Sequence, residues 1–224
     1  MLPDADLEAA ADAASFGAFM NSGQICMSTE RIVADCSIAT ELGAKLAERA
    51  GKLTVGDPRE QTTMIGPVVS DAARERILEL IEDARAKGAE VLAGGDADGT
   101  LITPTVLADV TPEMRIYEEE SFGPVVTIVP VSGTEEAIET ANDTEYGLSA
   151  AVFSEDVDRA MDVARRIESG ICHINSATVH DDPQMPFGGV KASGWARFGG
   201  KAALEEFTEL RWITIQSGSR HYPI

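Results

Sequence analysis

The sequence predicts an α/β domain, a mainly parallel sheet flanked by helices. Three observations carry that reading. Apolar runs rich in β-branched residues alternate with segments of helical period along most of the chain. The links between them are short and carry Gly, Pro, Asn or Asp. One run, Val125 to Val131, is apolar almost throughout, the pattern of a strand covered on both faces.

The elements follow in order. Asp6 to about Phe19 reads as an alanine-rich helix with acidic residues near its start, where they complement the helix dipole. Asn21 to Cys26 is a glycine-bearing segment, and Arg31 to Ala34 a short strand. Ser37 to Lys52 repeats Leu42, Leu46 and Ala50 at helical spacing, with Ser37 as a candidate cap. Gly56-Asp57-Pro58 is a break. Ser70 to Lys87 is amphipathic: Ile77, Leu80, Ile81 and Ala84 share one face, and Gly88 stands where a helix ends. Glu90 to Leu92 is a short strand.

The second half repeats the alternation. After the strand Val125 to Val131 come a helix over Thr134 to Asn142, a strand over Ser149 to Phe153, a helix over Asp156 to Ile167 and a strand over Ile171 to Asn175. Pro186 to Gly200 is glycine-rich loop, and Lys201 to Phe207 a short helix. Arg211 to Gln216 alternates as an extended strand, placed where it could leave the main sheet and pair with another subunit. The chain shows no internal repeat.

The 224 residues suit one large domain with a tail, long enough for a real core. A hydrophobic share of 44% and a charged share of 25% are ordinary for a globular protein. The net charge of −20 is not, and it disfavours nucleic acid and anionic membrane as partners. The start, Met1-Leu2-Pro3-Asp4, reads as no signal peptide, and no apolar run is long enough to span a bilayer. Three cysteines, Cys26, Cys36 and Cys172, lack metal or redox spacing, which points to reduced thiols and a cytoplasmic protein.

Cys26 is the candidate nucleophile. A thiol reacts as its thiolate, and at a free pKa of about 8.5 only a few per cent is ionised near neutrality. A catalytic site must therefore assist ionisation and supply donors for a developing oxyanion. Gly23-Gln24-Ile25-Cys26 lets backbone N–H groups approach a substrate, and Asn21 offers a side-chain donor. The plainer alternative is a small buried hydrophobe. Glu118-Glu119-Glu120-Ser121-Phe122-Gly123-Pro124, taken by itself, reads as an acidic turn before a buried strand. His173 and His180 have no third ligand at a useful spacing, so no metal site is expected.

Phe19-Met20-Asn21-Ser22-Gly23-Gln24-Ile25-Cys26 followed by Arg31 resembles the cysteine signature of the aldehyde dehydrogenase superfamily. Met27-Ser28 stand where the family more often has small residues. Glu120-Ser121-Phe122-Gly123-Pro124 resembles the family's Glu-x-Phe-Gly-Pro segment, and Pro186-Phe187-Gly188-Gly189-Val190-Lys191-Ala192-Ser193-Gly194 its glycine-rich loop, with Ala196 where glycine is frequent. Cys172 to Asn175 and Thr178 to Met185 are similar to the benzaldehyde, salicylaldehyde and vanillin dehydrogenase branch.

The resemblance runs from Leu2 to Gln216 and covers the C-terminal half of the family's usual length. It implies a catalytic domain over 1–200, then a short helix, an oligomerisation strand and a tail over 201–224. It implies NAD or NADP as cofactor, with Glu120 on the nicotinamide ribose and Phe122 beside the ring. Asn21, Ile25, Met27 and Asn175 are expected to line the aldehyde pocket or support the oxyanion. The family's cofactor-binding domain and its Glu-Leu-Gly-Gly-Lys general-base motif are not found in the sequence. The parent reaction is oxidation of an aldehyde, aromatic on this branch, to the acid. The chain alone is expected to turn over little or not at all. Two other readings stay open, a non-catalytic oligomerising module and a cofactor-free thiol esterase.

Overall fold

The structure, a computed structural model, describes residues 1–223, so Ile224 at the end of the predicted tail lies outside the described residues. Helix α1 spans Leu7–Phe19, with the Asp6 carboxylate accepting from the Glu8 and Ala9 N–H groups. Its alanines Ala10, Ala11, Ala14 and Ala18 are buried, so the helix lies close against its neighbours. Strand β1 is Arg31–Asp35 and helix α2 is Cys36–Lys52. Asp35, not Ser37, caps α2, its carboxylate accepting both the N–H and the hydroxyl of Ser37. Helix α3, Asp71–Ala86, is capped by the Ser70 hydroxyl, and Gly88 follows it at φ +105°.

Strand β2 is Glu90–Ala93. A small hairpin of β3 (Ala97–Asp98) and β4 (Leu101–Ile102) precedes β5 (Thr105–Ala108), and a single turn α4 spans Arg115–Glu118. Strand β6 is Val125–Val131 and helix α5 is Gly133–Asn142. Strand β7 (Ser149–Val152), helix α6 (Val157–Ala164) and strand β8 (Ile171–Ile174) complete the second half. Helix α6 stops at Ala164 rather than at Ile167, which packs against the neighbouring buried cluster from the turn that follows. A last helix, α7, is Gly200–Glu206. Arg211 to Gln216 joins no ladder among the described residues, and its side chains stand in solvent.

The main sheet has the order β1-β6-β5-β2, parallel across β1/β6 and β6/β5 and antiparallel at the β2 edge, where a bulge falls between Val91 and Ala93. A second pair, β7 and β8, is also parallel. Along β6 the side chains alternate. Val126 and Ile128 face the cluster built by α1 and α2, with Leu42 and Leu46 at its centre. Val125 and Val129 face the cluster of α3, with Ile77, Leu80 and Ile81. Each fully buried aliphatic side chain contributes on the order of 1.5–3 kcal/mol. Because β1 and β6 are parallel neighbours, the loops that enter them lie side by side at one end of the sheet.

Candidate active site

The loop entering β1 carries Cys26. It begins as a tight turn over Met20–Gly23 in which Asn21, Ser22 and Gly23 all take left-handed backbone, at φ 51°, 57° and 70°. Gly23 is required there twice. Besides its φ, a Cβ on it would stand 1.8 Å from the Gly123 carbonyl oxygen of the loop entering β6. The Gln24 side chain fastens the turn to the next segment by accepting from Val69 N–H at 2.8 Å. Ser28 Oγ donates to Gly23 O at 3.0 Å and Ser28 N–H to Ile25 O at 2.9 Å, which curls the chain around Cys26. Cys26 itself is exposed and opens on a cavity of ≈480 Å³.

Glu30 and Arg31 tie this loop to the other. The Glu30 carboxylate accepts from Ser121 N–H at 2.6 Å and from Phe122 N–H at 2.9 Å, one bond to each oxygen. Burial pushes its pKa up, and those backbone bonds, with the nearby Ser121 hydroxyl, oppose the shift. The arrangement holds Phe122 at φ 48°, with the residue 40% exposed. The Arg31 guanidinium lies 4.6 Å from the centre of the Tyr117 ring and donates to the carbonyls of Tyr117, Thr140, Ala141 and Asp143. Tyr117 in turn donates to Asp143 Oδ2 at 2.9 Å.

Cys26, Glu120 and Phe122 line one cavity. The Glu120 carboxylate takes no hydrogen bond from the described residues, so it is free to accept one from a ligand. Burial raises its pKa; Arg76 opposes that and Glu145 adds to it. The remaining sequence-predicted positions fall elsewhere. Asn21 turns its amide to Gln24 O at 3.3 Å and lies, with Gln24 and Phe122, on a neighbouring hollow. Ile25 and Met27 flank Cys26 half-buried, and Met27 O accepts from the Thr178 hydroxyl at 2.7 Å. Asn175, at φ 53°, pins the end of β8 by exchanging two bonds with the Ser154 backbone.

His173 and His180 stack edge to face at 5.3 Å, and burial, with His180 beside it, lowers the pKa of His173. No group of three metal-ligating side chains occurs among the described residues. No helix there is long and apolar enough to cross a membrane. Glu30 and Thr178 were not singled out from the sequence. A carboxylate at the mouth of an apolar strand is the one signal that pointed to Glu30, since such a group needs buried donors.

The sequence profile described as the aldehyde dehydrogenase family matches residues 1–213. The chain belongs to the aldehyde dehydrogenase family. Among related aldehyde dehydrogenases, the vanillin dehydrogenase of Pseudomonas fluorescens is 54% identical over the whole of this chain and 46% of its own length. The structure of a salicylaldehyde dehydrogenase from Pseudomonas putida G7, complexed with salicylaldehyde, superimposes with a TM-score of 0.95 at 48% identity, covering 100% of this chain and 46% of that one. That of a Mycobacterium tuberculosis aldehyde dehydrogenase complexed with NAD+ gives 0.88 at 38% identity, covering 93% of this chain and 44% of that one. The chain therefore spans about half the length of the aldehyde dehydrogenases it matches.

Proposed function

We propose that this chain is the nucleophile-bearing part of an NAD(P)-dependent aldehyde dehydrogenase that oxidises an aromatic aldehyde to its acid. The observation that carries the reading is the single cavity shared by Cys26, the free Glu120 carboxylate and the partly exposed Phe122. The named substrates of the vanillin and salicylaldehyde relatives support the aromatic class. Residues 1–200 are the catalytic unit in this reading, and 201–224 serve assembly. The three free cysteines fit a reducing cytoplasm.

The chemistry starts at Cys26. Its thiolate attacks the aldehyde carbon, and the S–C bond forms as the carbonyl oxygen takes up charge. Amide N–H groups of the curled loop are the donors this chain offers that oxygen. A bound nicotinamide dinucleotide supplies the hydride acceptor. Glu120 and Phe122 would hold its ribose and ring: the first has unspent acceptor capacity, and the second is an aromatic side chain lining the same cavity as the thiol. With that acceptor bound, the carbon would give up hydride and Cys26 would hold the acyl group as a thioester, which water would cleave to the acid. The general-base motif that the family resemblance implies is not found in this chain, so the base for that water would come from elsewhere in the parent.

An aryl ester of an aromatic acid tests the reading directly. The Sγ of Cys26 should displace the phenolate once, leaving a stable acyl adduct on the peptide that contains Cys26 by mass spectrometry. Cys26→Ala should lose it. A hydroxybenzaldehyde with NAD+ should give almost no reduced cofactor from the chain alone. Acylation that favours Cys36 over Cys26 overturns the assignment of the nucleophile. Robust turnover overturns the need for the missing length. Sustained ester hydrolysis that depends on Cys26 would favour a cofactor-free thiol esterase, a reading supported by the exposure of the thiol.

A further inference from the structure

Cys26 sits in a tight turn. Ser28 N–H donates to Ile25 O at 2.9 Å, so Cys26 and Met27 are its central residues. The main-chain N–H groups of Cys26 and Met27 take no partner among the described residues. The next peptide, between Met27 and Ser28, is fixed at both ends. Its N–H closes the turn, and its carbonyl, Met27 O, accepts from the Thr178 hydroxyl at 2.7 Å.

Thr178 follows β8, and it is buried. Its own carbonyl accepts from Ser149 Oγ of β7 at 2.8 Å and from His180 N–H at 3.1 Å, which fixes its backbone. A second hydroxyl, Thr29 Oγ1, lies 2.8 Å from Thr178 Oγ1. Chemistry sets the order of the protons. A carbonyl only accepts, so Thr178 spends its one proton on Met27 O, and Thr29 donates to Thr178. Thr29 is tied in turn to α1, its N–H donating to Gly17 O at 3.1 Å. The helix comes so near that a Cβ on Gly17 would stand 2.3 Å from Thr29 Oγ1 and 3.2 Å from Thr178 Oγ1. The hydroxyl pair therefore joins α1, the Cys26 turn and the segment after β8.

We propose that Thr178 is a positioning residue for Cys26: its hydroxyl, backed by Thr29, sets the tilt of the turn so that the free N–H groups of Cys26 and Met27 meet the oxygen of an attacked acyl carbon. The inference rests on the reading of Cys26 as the nucleophile. Thr178 acts through the turn and not on the substrate. Oxyanion donors work only within about 2.7–3.1 Å of the oxygen they hold, so a small rotation of the turn weakens them steeply. A methyl in place of the Thr178 hydroxyl cannot stand 2.7 Å from Met27 O, so Thr178→Val must rotate the turn as well as lose the bond. Attack of the same thiol on a saturated carbon develops no oxyanion and has no use for those donors.

The test compares two reactions of one thiol in the whole chain. With a nitrophenyl ester of benzoic acid, Cys26 Sγ bonds to the carbonyl carbon through an oxyanion, nitrophenolate leaves as the C–O bond breaks, and the thiol proton goes to solvent. With iodoacetamide, Sγ bonds to the methylene carbon, iodide leaves, and no oxyanion forms. Peptide mass spectrometry reads both rates at Cys26, with Cys36 as the internal reference. Thr178→Val should slow acylation of Cys26 about tenfold or more and change its alkylation less than about twofold, with the far-ultraviolet dichroism unchanged. Thr178→Ser keeps the hydroxyl and should restore acylation. Thr29→Val should slow acylation less, and should add little on top of Thr178→Val, because both act through Met27 O. If Thr178→Val does not fold, Thr29→Val decides by the same two rates. Equal slowing of acylation and alkylation overturns the inference, since the hydroxyl would then serve only the fold of the loop. A preference of the ester for Cys26 over Cys36 that survives Thr178→Val removes Thr178 alone. No such preference in the unaltered chain removes the nucleophile, and the inference with it.

Discussion

Glu30 is the residue on which the geometry around Cys26 turns. It sits four positions after Cys26, the proposed nucleophile, and holds, through two charge-assisted bonds, the backbone that presents Phe122. A glutamine keeps one acceptor oxygen where two are used. Glu30→Gln therefore leaves one buried N–H without a partner, a loss of about 1–3 kcal/mol. Chemical denaturation near neutral pH measures it. The pH dependence adds a second signature. The folded-state pKa lies above the unfolded carboxylate value of about 4.3, so the folded chain holds that proton more tightly. Stability should fall as pH rises from the unfolded value through the raised one, and the full cost is present above it. Glu30→Gln should remove that contribution to the slope. An unchanged midpoint and an unchanged slope together would show that Glu30 does not hold the loop. Cys26, by contrast, could be singled out as a candidate from its signature segment, because the residues around it lie together in sequence. Glu30 could not, because its partners lie some ninety positions away.

Between elements, the contact that matters is the crossing of the loops that enter β1 and β6. Gly23 meets the Gly123 carbonyl where no side chain fits, and its φ of 70° already disfavours one. Gly23→Ala must push the two loops apart or strain both, at a cost of roughly 1–3 kcal/mol. It should lower the melting temperature and slow aryl-ester acylation of Cys26 relative to Cys36, whose surroundings it does not touch. Equal slowing at both cysteines would mean general unfolding rather than a displaced active-site loop. The strands show the same division between local and distant causes. Strand β6 was readable because its apolar run needs no context. Strand β5 was missed: it is four residues long, it follows Pro104, and its buried Thr105 reads as a turn residue. What makes it a strand is β6 on one side and β2 on the other, neither of which its own residues announce. The cap of α2 was misplaced by two residues for a related reason, since Asp35 and Ser37 are both good caps and only the path of the chain chooses.

At the scale of the whole molecule, the last fourteen positions stand apart. The chain as a whole carries a charge of −20, yet Arg211 to Ile224 contains two arginines and no acidic residue. Trp212, Ile213 and Ile215 are exposed within an extended run that pairs with nothing among the described residues, and Phe207 and Leu210 just before it are exposed as well. An apolar patch of this kind on an otherwise acidic surface is a sign of association, and unpaired backbone on an extended segment gives it a direction. Two copies of the chain can each lend such a strand to the acidic body of the other, which meets both the apolar and the charge requirement. Removing Arg211 to Ile224 should therefore convert an oligomer to a monomer in size-exclusion chromatography with light scattering. The melting temperature at high dilution should change little, because residues 211–223 are exposed and pair with no strand among the described residues. A milder variant separates strand pairing from stickiness. Ile213→Pro keeps most of the apolar surface but removes an N–H and bends the run, so it should dissociate the oligomer nearly as well as the deletion does. If the proline variant stays assembled while the deletion does not, the segment associates through its side chains and not as a strand. If both stay assembled, the interface lies elsewhere on the molecule.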